Sequence, residues 1–147
     1  MPDALGPRAD SRTASRGLGR VLVALYATLA LAAGARAAVQ LSTRFDEAPL
    51  AYLLSAFAAV VDIVATVAFV RGGRSGRRTA TVALSVELAG VLVVGTLSLA
   101  DRAAFPDETV WSVYGVGYGF LPLVLPVLGL LWLRRQARQA RQEAATH

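Results

Sequence analysis

The chain reads as all-α: an antiparallel bundle of four transmembrane helices with both termini cytoplasmic. Three observations predict this. Hydrophobic residues make up 55% of the 147 positions and the mean hydropathy is positive, too apolar for a soluble domain of this size. Four predominantly apolar stretches are each long enough to cross a bilayer. Twelve of the fifteen arginines form three clusters, placed before the first stretch, between the second and third, and after the fourth.

Residues 1–17 are polar, contain Pro and Gly, and predict a disordered basic cytoplasmic tail. The membrane domain covers residues 18–133. A hydrocarbon core of ~30 Å needs about 20 helical residues, which the stretches 21–39, 49–70, 79–100 and 110–133 supply. None has the one-sided apolar stripe of a surface helix; each is hydrophobic nearly all round. The first is the weakest, because its second half is mostly Ala and carries Arg36, an outer-leaflet charge. It also resembles a signal peptide, with Arg16 and Arg20 before the apolar run and Ala35-Arg-Ala37 as an A-x-A site. Cleavage there would leave three crossings.

The second crossing holds eleven Leu, Ile, Phe or Val residues against Asp62. At roughly −0.3 to −0.6 kcal/mol each against roughly +3 for a central Asp, the sum favours insertion. The third gives much the same balance with Glu87. Between them, Arg71-Gly-Gly-Arg-Ser-Gly-Arg-Arg78 is a short glycine-rich link that turns the chain back. Asp46 and Asp107 are candidate N-caps, and Pro49 suits a first helical turn. Residues 134–147 read as a basic cytoplasmic tail, a frayed extension of the fourth helix.

Orientation follows from charge. The N-terminal tail, the 71–78 link and the C-terminal tail hold four arginines each. The other two loops hold only Arg44 and Arg102, together with Asp46, Glu47, Asp101, Asp107 and Glu108. The positive-inside rule therefore puts both termini in the cytoplasm. Trp111 and Trp132, ~31 Å apart on a continuous helix, are expected at the two interfaces.

Asp62 and Glu87 are equidistant from the middle of the 71–78 link, each ~12 Å into the core. At helical spacing around Asp62 stand Ser55, Ala58, Ala59, Ala65 and Thr66; around Glu87 stand Ala80, Ala83 and Gly90. Small faces allow close approach, so the two carboxyls are expected to meet inside the bundle. Ionising both in hydrocarbon would be costly. Tyr26, Thr66 and Tyr118 are the candidate hydrogen-bond partners, together with the carbonyls of Tyr118 and Pro122 that Pro122 and Pro126 leave free. Arg36 is too far out to neutralise the pair and should reach toward Asp46, Glu47 or Tyr114. The pair is then either a polar clasp fixing helix register, a proton or cation site, or a contact for a polar ligand head.

In the fourth crossing Gly115 and Gly119 form a GxxxG packing pair, and with Pro122 and Pro126 they make this helix the one expected to bend. Val116-Gly-Tyr-Gly119 matches the core of a potassium-channel filter, but Arg134 follows Phe120 by only 14 positions, too few for a following inner helix. Intramembrane aspartyl proteases need a Gly-x-Gly-Asp sequence, and Phe120 follows Gly119 here. A four-crossing drug exporter would carry its essential Glu in the first crossing, where this chain has none.

No cysteine is present and the single histidine is His147, which argues against thiolate chemistry, zinc or iron–sulfur sites and buried haem. No metal, cofactor or catalytic residue is predicted. The net charge of +5 marks the cytoplasmic face rather than nucleic-acid binding. Partners implied are the bilayer itself, anionic lipid at Arg134, Arg135, Arg138 and Arg141, and a second copy or another membrane protein.

All fifteen basic residues are Arg, Lys and Asn are absent, and Ile occurs once, a pattern expected of a GC-rich bacterial genome. Phe45-Asp-Glu-Ala-Pro-Leu-Ala-Tyr-Leu-Leu54 and Val110-Trp-Ser-Val-Tyr-Gly-Val-Gly-Tyr-Gly-Phe-Leu-Pro-Leu-Val-Leu-Pro126 resemble stretches of uncharacterised integral membrane proteins of actinobacteria. That resemblance covers roughly residues 18–135. It implies a four-helix membrane fold in the bacterial plasma membrane and no activity. The expected function is accordingly a small polytopic protein of structural or interaction type without catalysis. The alternatives are a small proton- or cation-coupled transporter using Asp62 and Glu87, and a lipid or hydrophobic-ligand binder using the Gly/Pro-rich fourth helix.

Overall fold

A computed structural model describes residues 7–146; Met1–Gly6 of the N-terminal tail and His147 lie outside the described residues. Every regular element among them is helical: α1 (Pro7–Thr43), α2 (Pro49–Arg71), α3 (Gly73–Ala100), a short 3-10 segment (Ser112–Tyr118) and α4 (Leu121–Ala145). Three of these helices are long and apolar enough to cross a membrane. The 3-10 segment and α4 together make a fourth candidate, bent by 97°.

On α2 most buried positions are small and most exposed ones large and apolar, with Tyr52 and Val61 the buried exceptions. The buried face of this helix carries Ala51, Ser55, Ala58, Asp62, Ala65 and Ala68. Its exposed face carries Leu53, Phe57, Val60, Ile63, Val67 and Val70. Small residues inward and large apolar ones outward is what close helix packing in lipid requires, because lipid solvates Leu and Val as well as a neighbouring helix does. In water the same surface would be one continuous apolar patch.

Two expected boundaries move. Helix α1 begins at Pro7 rather than Val21, so residues 7–17 are helical rather than disordered. Its 37 residues span about 55 Å at helical rise, well beyond the hydrocarbon thickness. The extension is held against the far end of α4. Trp132 Nε1 donates to the Ser15 carbonyl at 3.2 Å, Gln136 Nε2 to Ser15 Oγ at 3.3 Å, and Arg12 pairs with Glu143 at 3.2 Å. The ion pair is mostly exposed and adds little; the Trp132 ring, seated over Gly19, supplies the packing. Residues 134–145 likewise continue α4 instead of fraying.

The 71–78 link contracts to a single residue. Gly72 (φ +61°) separates α2 from α3, and Gly73 (φ +67°) opens the next helix. Those positive φ values explain the paired glycines. The two helices fold back so closely that a Cβ on Gly76 would lie 2.6 Å from the Ala68 carbonyl oxygen. Pro49 begins α2 as expected, but the residue before the helix is Ala48 and no side chain caps it, so Asp46 is not an N-cap.

The fourth apolar stretch is broken rather than continuous. After Thr109 the chain turns inward, burying Val110, Trp111, Ser112 and Gly115 before α4 starts. Val113, Tyr114 and Gly115 have φ of 48°, 58° and 80°, a left-handed turn that a β-branched residue rarely enters. Gly119 (φ +62°) and Phe120 (φ +60°) make the corner into α4. Pro122 lies in the first turn of α4, and only Pro126 lies within it. The bend therefore falls before both prolines. Gly115 and Gly119 serve this turn and do not form a helical GxxxG face. Trp111 is 3% exposed inside the molecule, not at an interface, because the continuous helix assumed by the ~31 Å spacing does not exist.

Irregular backbone buried inside the molecule needs partners from the protein. Hydroxyls provide them. Ser55 Oγ accepts from Val110 N at 3.3 Å, Ser98 Oγ from Val113 N at 2.9 Å, Ser112 Oγ from Thr109 N at 2.9 Å, and Thr109 Oγ1 from Trp111 N at 3.1 Å. The polar residues of this layer thus replace the helical ladder that the segment forgoes.

Candidate functional site

Asp62 and Glu87 sit on the inner faces of α2 and α3, 2% and 1% exposed. Their carboxyls lie within hydrogen-bonding reach of each other, as the small residues around them predicted. Such a contact requires at least one proton between them, since two bare carboxylates would repel in a medium that screens poorly.

The third member comes from α1. The fully buried Tyr26 hydroxyl donates to Glu87 Oε2 at 2.8 Å. The sequence marks Tyr26 as a candidate partner of the pair without saying which acid it meets; the rotation of α1, which periodicity cannot fix, aims it at Glu87. Thr66 Oγ1 donates to the backbone carbonyl of Asp62 at 2.7 Å, not to its carboxylate. Tyr118 is half-buried and packs between the two apolar clusters of the core. Asp62 Oδ1 has no hydrogen-bond partner.

Apolar groups close the layer on both sides. Toward one end, Leu22, Leu84, Leu125 and Leu133 form one cluster; toward the other, Ala58, Val91, Val94 and Trp111 form a second. Trp111 lies on Gly90, one helical turn beyond Glu87, where a Cβ would come within 2.5 Å of its ring. Phe57 meets the same ring edge-on, with centroids 6.0 Å apart. The grooves lined by Arg77, Val60, Ile63 and Arg16 include neither acid.

A second polar centre, which sequence reasoning missed, lies at the opposite end from the arginine clusters. Asp107 Oδ2 accepts from the Tyr52 hydroxyl at 2.9 Å and from Gln40 Nε2 at 3.4 Å, while Oδ1 accepts from Glu108 N at 2.8 Å. Asp107 is thus a junction joining α1, α2 and the loop after α3, rather than the cap of a fourth helix. Its signal was present in the sequence only as a buried-side Tyr and Gln at the ends of two apolar stretches. Arg36 reaches toward the same end, donating from Nη2 to the Glu108 carbonyl at 3.2 Å instead of pairing with Asp46 or Glu47.

Among the described residues no group of His, Asp and Glu is arranged to hold a metal ion. Comparison with protein families, curated proteins and solved structures finds no match to this chain.

Proposed function

We propose that this chain is a multi-pass protein of the bacterial cytoplasmic membrane, four antiparallel crossings with both termini inside, and that its role is structural or interactive rather than catalytic. The closed acid layer carries the reading. The Tyr26 hydroxyl holds Glu87 and Glu87 faces Asp62, so three different helices meet in one polar contact at 2% exposure or less, with apolar clusters on both sides. A clasp of this kind fixes the rotation and depth of α1, α2 and α3 relative to one another, the best-attested use of buried polar groups. The outward-facing apolar surface and the three arginine clusters support the membrane placement. The two stretches that resemble actinobacterial membrane proteins support the bacterial setting.

One observation favours a second reading, a proton- or cation-coupled transporter. Asp62 Oδ1 is buried without a partner, an open acceptor that a transported proton or ion would fill. Asp62→Asn and Glu87→Gln separate the two. Both amides preserve size and hydrogen bonding but remove ionisation. For a clasp, each variant assembles normally and proton flux into vesicles, followed with a pH-sensitive dye, matches the wild type. Flux that is present in the wild type and lost in both amides establishes transport instead.

Topology is tested separately. Reporters active on only one side of the membrane, fused to each end in turn, should both report the cytoplasm. Signals from opposite sides would overturn the four-crossing arrangement and leave the bent segment as a re-entrant loop.

A further inference from the structure

Arginines from two helices converge on one groove. Arg74, Arg77 and Arg78 of α3 and Arg141 of α4 rim a cleft of about 650 Å³ between those helices, floored by apolar residues such as Leu133 and Ala140. No acid lines it. Among the described residues the one ion pair is Arg12–Glu143, so none of the four guanidiniums pairs with a described acid. Three of them crowd the first turns of α3, where no acid is present and where the helix dipole disfavours cations. An external anion would relieve that conflict.

A second groove begins where the first ends. It lies between α2 and α3, measures about 470 Å³, and is lined by Phe57, Val60, Val64 and Val86. Arg78 and Val82 belong to both grooves. Val82, 64% exposed, stands as a ridge between two apolar channels that meet beneath the arginines.

We propose that this is a binding site for an anionic, two-chain phospholipid. The phosphate is held by Arg77, Arg78 and Arg141, whose planar guanidiniums suit bidentate contact with phosphate oxygens. One acyl chain lies on each side of Val82. The site differs from attraction of lipid by the C-terminal tail in general: Arg134, Arg135 and Arg138, exposed like Arg78 and Arg141, line neither groove. The inference rests on the membrane placement proposed above, which the reporter fusions test independently.

The experiment uses the full chain in detergent micelles, titrated with dioleoyl phosphatidylglycerol or dioleoyl phosphatidylcholine, with bound lipid counted by native mass spectrometry. Arg77→Gln combined with Arg141→Gln is compared with Arg134→Gln combined with Arg138→Gln, which removes the same charge outside the groove. The site predicts one tightly held phosphatidylglycerol and a loss of about tenfold or more in its affinity for the first pair only. Equal losses for both pairs would reduce the effect to diffuse surface charge and overturn the site. Equal binding of phosphatidylcholine would remove the anion requirement and overturn it as well. Inorganic phosphate at millimolar concentration should fail to displace the lipid; complete displacement would mean a free-anion site without a role for the chains. A Val82→Trp variant, which enlarges the ridge where the two channels meet and keeps every arginine, should weaken lipid binding as well. Unweakened binding there would refute the two-channel placement.

Discussion

Glu87→Ala should be among the most destabilising single substitutions in this protein, costing about 2–6 kcal/mol. The estimate comes from two buried groups losing their partner at once, each worth about 1–3 kcal/mol. The Tyr26 hydroxyl loses the acceptor it holds at 2.8 Å, and the Asp62 carboxyl loses the group facing it. Neither can turn to water, because both lie in the sealed layer. Glu87→Gln should recover most of the loss, since the amide oxygen still accepts from Tyr26 and the amide nitrogen can donate to Asp62. Tyr26→Phe should fall between the two, because it strips one donor and leaves the acids together. Unfolding in mixed micelles by sodium dodecyl sulfate titration, followed by tryptophan fluorescence, measures all three. If Glu87→Ala and Glu87→Gln prove equally stable, the carboxyl contributes no specific contact and the clasp is refuted.

Asp62 and Glu87 were legible because two independent patterns agreed on them. Each is the one acid in a long apolar stretch, and each has small residues at the helical positions around it. Such a face must pack inward, so the pair could be anticipated from spacing alone. The third partner was harder. Tyr26 lies in a stretch with no comparable small-residue face near it, so nothing in the sequence fixes the rotation of α1. The extension of α1 did leave a signal: Arg12, Arg16 and Arg20 recur every four residues, a helical period, inside a segment whose composition argues for disorder. Composition misleads there because the contacts to Ser15 and Gly19 come from Trp132 and Gln136, more than a hundred residues away.

The break in the fourth apolar stretch was the least legible element. Hydropathy measures what a segment is made of and not the path it takes, and Val110–Leu133 is apolar throughout. Glycine and proline content announced a bend but not its place. Val113 and Tyr114 hold left-handed backbone that no local propensity favours. What stabilises them is tertiary: the Ser98 hydroxyl takes the Val113 N–H, and Gly95 leaves the space into which Tyr114 fits. Ser55 and Ser98 read in the sequence as minor polar interruptions. Their importance depends on backbone donors that only a non-helical segment leaves free.

Trp111→Ala should cost about 3–5 kcal/mol, the usual loss for removing a buried indole from a close-packed interior. The ring ties the inward-turned segment to α3 and α2, resting on Gly90 and meeting Phe57 edge-on. Its removal should also loosen the turn that follows, leaving the Ser55 and Ser98 hydroxyls and the Gly95–Tyr114 contact to hold it. Gly90→Ala tests the same contact from the opposite side. The added methyl would sit 2.5 Å from the indole, inside any tolerable separation, so overpacking should cost about 1–3 kcal/mol. The decisive measurement is the double variant. Once Trp111 is gone the methyl meets no ring, and alanine is the better helix former. Gly90→Ala should then be neutral or stabilising by up to about 1 kcal/mol. A sign change of this kind is a coupling that only direct contact produces. Simple additivity of the two costs would mean that Trp111 lies elsewhere. The Val110–Tyr118 segment would then follow the straight helix that its composition suggests, and Gly90 would face lipid or another helix instead of the indole.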